Sequence, residues 1–257
     1  MIELPKTKTK ASRRDPKSMV IYSQPKMGKT TILSGLDNCL IIDLEKGSYF
    51  VDALVVDILK ISEEEEKLPV VVLKKLINKI AETNKAEGKK VYKYIAVDTV
   101  TALEDIVLPL ANKMYRDTPQ GKNWVGNDVT LLPNGAGYRF TRLALSTILN
   151  EIKELCDTFI ILGHVKDKLV EKEGKEMNER SLDLTGKSSS ILCSQVDAIG
   201  YLYREDNKTI INFNNSSDSL LCGSRSPHLK GREIVVATSD ENNNLTIDWS
   251  QIFIDNN

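Results

Sequence analysis

Ser23-Gln24-Pro25-Lys26-Met27-Gly28-Lys29-Thr30 follows the phosphate-holding pattern G-x-x-x-x-G-K-[ST], with Ser23 in place of the first glycine. Each part has a chemical task. Gly28 lets backbone amides approach an anion closely, the Lys29 ammonium reaches β- and γ-phosphates, and the Thr30 hydroxyl binds Mg²⁺. Thr31 completes the candidate nucleotide-binding segment. The metal needs a second support, which Tyr94-Ile95-Ala96-Val97-Asp98 supplies as an apolar run ending in a carboxylate. Glu45 and His164 also stand just past apolar runs, Ile41-Ile42-Asp43-Leu44 and Ile161-Leu162-Gly163. A carboxylate there can orient an attacking water, and an imidazole can sense a terminal phosphate. The plainer alternatives are a solvated loop glutamate and a histidine bonded to a backbone carbonyl.

Two features weaken the loop pattern taken alone. If position 23 requires a positive φ, a residue other than glycine costs about 1 kcal/mol or more. Ser181-Leu182-Asp183-Leu184-Thr185-Gly186-Lys187-Ser188 also fits, with the same serine substitution. Context favours the first match, which follows the buried run Met19 to Tyr22 and opens a helix, whereas the second follows the charged stretch Lys175 to Arg180.

The elements that must position these groups alternate along the chain. Short apolar strands are predicted near residues 19–22, 39–43, 53–58, 92–97 and 159–162. Helices are predicted from Thr30, from Pro69 with Val70, Leu73, Leu76, Ile77 and Ile80 on one face, and along Phe140 to Leu155. The acidic patch Glu63 to Glu66 reads as a solvated helix start. Residues 111–137 lose periodicity and gather Pro and Gly, which predicts a long loop. Residues 168–184 read as a polar hairpin turning at Glu173-Gly174-Lys175, and the last third, including 245–254, is strand-rich. Strand-helix alternation implies an α/β fold: a mainly parallel central sheet flanked by helices, with an antiparallel C-terminal extension.

The 257 residues are 41% hydrophobic and 28% charged with net charge -1, which excludes disordered and collagen-like classes. No apolar stretch approaches the roughly 18 residues of a membrane span, and the absence of an apolar N-terminal signal leads to the expectation of a cytoplasmic protein. Residues 1–17 carry six cations against two acids, so a basic flexible N-terminal arm precedes a domain spanning 18–257. Cys39, Cys156, Cys193 and Cys222 lack zinc spacing and read as free buried thiols.

With the four site elements in this order, the sequence resembles the RecA-like ATPases. It is most similar to the small phage-encoded RecA-like recombination ATPases of the AAA-type phage nucleotide-binding family. Tyr22 to Thr31, Ile41 to Gly47, Ile95 to Thr99, Ile160 to His164 and Gln195 to Tyr201 carry the likeness. The resemblance implies a RecA-like P-loop NTPase core that uses ATP and Mg²⁺. It implies that Glu45 activates water, that Asp98 supports the metal, and that His164 senses the γ-phosphate and passes its state to DNA-binding loops. Those loops would carry Lys113, Tyr115, Arg116, Lys122 and Trp124 in 111–137, and Lys166 and Lys168 in the hairpin; cations suit the phosphates and aromatics the bases. A cation completing the site across a subunit interface is sought among Arg225, Lys230 and Arg232. The implied function is single-stranded DNA annealing or strand exchange in phage recombination by a homo-oligomer, ring or filament, with a single-strand DNA-binding protein as a further candidate partner. Other readings are an ATP-regulated annealing module with little turnover, a DNA-translocating motor subunit, and a small-substrate kinase.

Overall fold

The computed structural model describes residues 4, 6–172, 175–215 and 219–256, with the backbone alone for 168, 170–172, 175–177 and 256. The first residues of the basic arm and the Glu173-Gly174 turn therefore lie outside the described residues. In chain order the first elements are β1 (Ser18–Ser23), α1 (Lys29–Leu33), β2 (Cys39–Asp43), β3 (Leu54–Asp57), α2 (Ile58–Glu64), α3 (Pro69–Glu87) and β4 (Tyr92–Asp98). Next come α4 (Val100–Ile106), α5 (Leu108–Arg116), α6 (Gly137–Lys153), β5 (Cys156–Lys172), β6 (Lys175–Leu182) and α7 (Ser188–Gln195). The chain finishes with β7 (Ala198–Glu205), β8 (Lys208–Asn212), β9 (Gly223–Ser224), β10 (Glu233–Ser239) and β11 (Leu245–Ile247).

The strands form one sheet in the order β11-β10-β8-β7-β1-β5-β4-β2-β3, with β6 paired to β5 and β9 to β7. From β7 to β3 every pairing along this order is parallel, whereas β7, β8, β10 and β11 pair antiparallel. The mainly parallel sheet with an antiparallel C-terminal extension is thus the fold expected from the sequence. Strands buried on both faces are written as continuous apolar runs, and β1 and β2 are buried at every residue. Val20, Ile42, Val97 and Ile161 point to one face, under α3, α4 and α6. Met19, Ile21, Ala96 and Ile160 point to the other, against Ile32 and Leu33 of α1 and against Trp249, Ile252 and Phe253. Trp249 Nε1 donates to the Ile32 carbonyl at 2.8 Å, locking the C-terminal segment onto α1.

Register places the candidate site at one edge. Ser23 lies opposite His164, Asp98 opposite Leu162 and Asp43 opposite Asp98, so β1, β5, β4 and β2 all deliver polar residues where their carboxyl ends meet.

Three expectations are corrected. Glu63 and Glu64 end α2 rather than starting a helix. Their charge opposes that helix dipole and is offset by Lys46 on Glu63 at 2.7 Å and by Lys67 and Lys75 on the adjoining Glu65 at 3.0 and 2.5 Å. The supposed loop 111–137 begins inside α5 and continues through single turns at 129–131 and 133–135. Residues 245–254 form a strand only over β11; Trp249, Ile252 and Phe253 then pack as a buried turn. The basic arm is tied down at its inner end, where the Lys17 amide donates to Asp197 at 2.9 Å and Asp15 accepts from the amides of Ile254 and Asp255.

Candidate functional site

Ser23 closes β1 with extended backbone and is fully buried, so the strain that a positive φ would bring to this position is absent. Positive φ falls instead at Lys26 (65°) and Gly28 (93°), within the turn that follows. The Ser23 hydroxyl donates to the Gln24 carbonyl at 2.8 Å and accepts from Lys29 Nζ at 3.2 Å, giving the serine a positioning part in the loop. Pro25, Lys26, Gly28, Lys29, Thr30 and Thr31 line a cavity of about 390 Å³. Met27 turns away and packs against the core beside α1.

Lys29 is buried, and its ammonium faces Ser23 Oγ, the Gln24 carbonyl (3.3 Å) and His164 Nδ1 (3.4 Å). An ammonium only donates, so Nδ1 is the acceptor and Nε2 carries the ring proton. That Nε2–H donates to Glu45, 3.0 Å from Oε1 and 3.1 Å from Oε2. Glu45 Oε1 also accepts from Thr99 Oγ1 at 2.5 Å. A carboxylate offers about four lone-pair sites, so two donors leave room for a water. Burial pushes the Lys29 pKa down, against the attraction of Asp98 and Glu45.

Thr30 Oγ1 donates to Asp98 Oδ2 at 2.5 Å. Burial raises the Asp98 pKa to about 6, opposed by the Thr30 hydrogen bond and reinforced by Asp43 and Glu45. A hydroxyl beside a carboxylate is a hard oxygen pair that suits Mg²⁺, which characteristically uses one or two carboxylates and takes substrate phosphates as further ligands.

Residues outside the motifs complete the site. Asp43, fully buried, accepts from the amides of Glu45 (2.9 Å) and Ser48 (2.9 Å) and from Ser48 Oγ (2.5 Å), fixing the turn that presents Glu45. Thr101 Oγ1 accepts from the His164 amide at 3.1 Å and donates to the Asp183 carbonyl at 3.1 Å, joining α4 to the base of the β5–β6 hairpin. Arg204, at the end of β7, lines the same cavity. Asp43 and Arg204 both carry a signal in the sequence, each as the first charged residue after an apolar run, Cys39 to Ile42 and Ala198 to Tyr203.

The other candidates lie elsewhere. Tyr115 packs edge-on against Trp124 and Phe140, each at 5.2 Å, and the Arg116 guanidinium covers the Trp124 ring while donating to the Gly126 carbonyl. These aromatics therefore hold a folded cap together; Lys113 and Lys122 remain exposed. Lys166 is bound at the hairpin base to Asp183 and the Leu184 carbonyl, and the Lys168 side chain lies outside the described residues. Arg225 donates to the Ser194 carbonyl at 2.7 Å beside Asp197, at the sheet edge opposite the cavity. Arg232 reaches the His228 carbonyl and Gln251, both at 3.4 Å, and Lys230 is exposed. The second loop match does sit between a strand, β6, and a helix, α7. Its Thr185 amide is already taken by the Glu104 carboxylate at 2.8 Å.

A buried lysine and a hydroxyl at a tight glycine turn, facing a strand-end aspartate, define a P-loop nucleoside triphosphatase site. Residues 15–246 match the family model described as AAA domain, and the chain belongs to that family. No curated protein matches it. Two solved structures are similar at low identity. KaiC-like protein PH0186 from the hyperthermophilic archaeon Pyrococcus horikoshii OT3 has 13% identity and TM-score 0.42, with 90% of this chain and 89% of that chain covered. The RadB recombinase has 14% identity and TM-score 0.39, with 89% and 90% covered.

Proposed function

We propose that the chain is a Mg²⁺-dependent RecA-like ATPase whose turnover is coupled to single-stranded DNA in annealing or strand exchange, as in phage recombination. The observation that carries this reading is the unbroken path Lys29–His164–Glu45–Thr99 beside the Thr30–Asp98 pair. Thr30 and Asp98 would hold Mg²⁺, which when bound would supply charge neutralisation on the phosphates. Lys29 exchanges its internal acceptors for phosphate oxygens. Glu45 orients and deprotonates the attacking water, and His164 bridges the lysine that meets phosphate and the glutamate that meets water.

The coupling half is supported by continuity. His164 lies inside the seventeen-residue β5, which runs without a break into the hairpin with β6. A change at the phosphate end is thereby passed along one strand to the hairpin. Exposed Lys113 and Lys122 add cations suited to a polyanion. The test is ATP turnover with and without single-stranded DNA, alongside sizing of the assembly in both states. Mg²⁺-dependent turnover stimulated by DNA, lost in a folded Lys29→Ala variant, is expected. Turnover indifferent to DNA overturns the coupling half, and absence of nucleotide binding overturns the whole reading.

A further inference from the structure

Arg204 approaches the phosphate loop from the flank opposite His164. β1 pairs with β5 on one side and β7 on the other, and the β1–β7 pairing ends at Tyr22 with Tyr201. Arg204 therefore projects past the end of β1, alongside the loop. Ala198 and Leu202 share its phase and lie in the core with Ile32 of α1, so residue 204 emerges on the side of the sheet where the loop turns into α1. A β-carbon built on Gly28 would stand 3.1 Å from Arg204 Nη2 and 3.8 Å from Cζ. The guanidinium is exposed and makes no hydrogen bond or ion pair with any described residue.

Lys26, Lys29 and Arg204 share the cavity lining with Glu45 and Asp98. Lys29 is engaged with His164, whose other nitrogen meets Glu45, whereas Arg204 stands over Gly28. We propose that Arg204 binds, from within the same chain, the phosphate oxygens that ADP and ATP have in common. This rests on the nucleotide reading above and assigns the loop a cation that none of Arg225, Lys230 and Arg232 supplies. A guanidinium fork suits such oxygens because two parallel N–H donors can engage them together.

The experiment measures Kd for ADP and for a non-hydrolysable ATP analogue, with Mg²⁺, in the wild-type chain and in Arg204→Ala, Arg204→Gln and Arg204→Lys, with thermal melts to verify folding. Loss of one exposed charge-assisted contact is expected to weaken both nucleotides by the same factor, about tenfold, in the Ala and Gln variants. Arg204→Lys recovers only part of the loss, since an ammonium keeps the charge and not the fork. Unchanged affinity for both nucleotides overturns the proposal. Weakening confined to the ATP analogue also overturns it, because Arg204 would then address the γ-phosphate. A wild-type chain that binds neither nucleotide refutes the underlying reading instead, and shows it before any variant is compared.

Discussion

Replacing Asp98 with asparagine should stabilise the metal-free protein while abolishing ATP turnover. Asp98 is 4% exposed and lies near the carboxylates Asp43 and Glu45, with its pKa raised from 3.8 to about 6. A raised carboxyl pKa means that the folded state binds the proton more tightly than the unfolded chain. Ionisation therefore costs stability fully above the folded pKa, and the cost fades as pH falls toward 3.8. A shift of about two units at 1.36 kcal/mol each is about 3 kcal/mol at pH 7.5, falling to roughly half at pH 5. The introduced amide keeps an oxygen to accept from Thr30, so the Asp98→Asn variant loses the buried charge but not that hydrogen bond. The assay is urea unfolding followed by the fluorescence of Trp124 and Trp249, with chelator present, at both pH values. Asp98→Asn should exceed wild type by about 3 kcal/mol at pH 7.5, with the gap narrowing at pH 5. Added Mg²⁺ should stabilise wild type alone. A variant equal to or less stable than wild type at pH 7.5 refutes the account of a carboxylate held ionised at a cost until metal arrives.

Glu45→Gln should bind ATP yet turn it over about 100-fold more slowly or worse, since the amide cannot accept the water proton; binding and single-turnover assays separate the two effects. Gly28→Ala should lose about 1–3 kcal/mol in urea unfolding because φ at 28 is 93°, and should also bind nucleotide more weakly by titration. The four free cysteines are buried, and burial raises their pKa values to about 12 for Cys39 and Cys156 and about 11 for Cys193 and Cys222. A thiol reagent at pH 8 should therefore label them slowly in the native protein and all four rapidly in urea.

The strands that carry the site are legible because a fully buried parallel strand is written as an apolar run whose first polar residue marks its end. Ser23, Asp43 and Asp98 are such residues, and Glu45 and His164 follow within two positions of a strand's apolar stretch. Region 111–137 misleads because its glycines read as loop formers. A β-carbon on Gly121 would strike the Tyr115 carbonyl, and one on Gly137 the Val129 carbonyl, so these glycines permit close packing of a folded cap. The aromatics that suggest base platforms are consumed in that packing. Arg204 is the first polar residue after the run Ala198 to Tyr203, so it carries the same signal, but only the pairing of β7 beside β1 reveals which side of the sheet residue 204 joins.

Strand β5 continues eight residues beyond His164, to Lys172. At about 3.3 Å per residue, this paired ribbon reaches about 26 Å from the imidazole. Arg180, opposite Asp167, is tied to Ser219, Leu221 and Tyr22, so the lever starts at Asp167: over the five residues to Lys172, about 16 Å, a rotation of about 5° carries the far end through about 1.4 Å. On the proposed coupling the reach of the ribbon sets the size of the stroke, so trimming matched residues from both of its strands should weaken DNA-stimulated turnover and leave basal turnover unchanged.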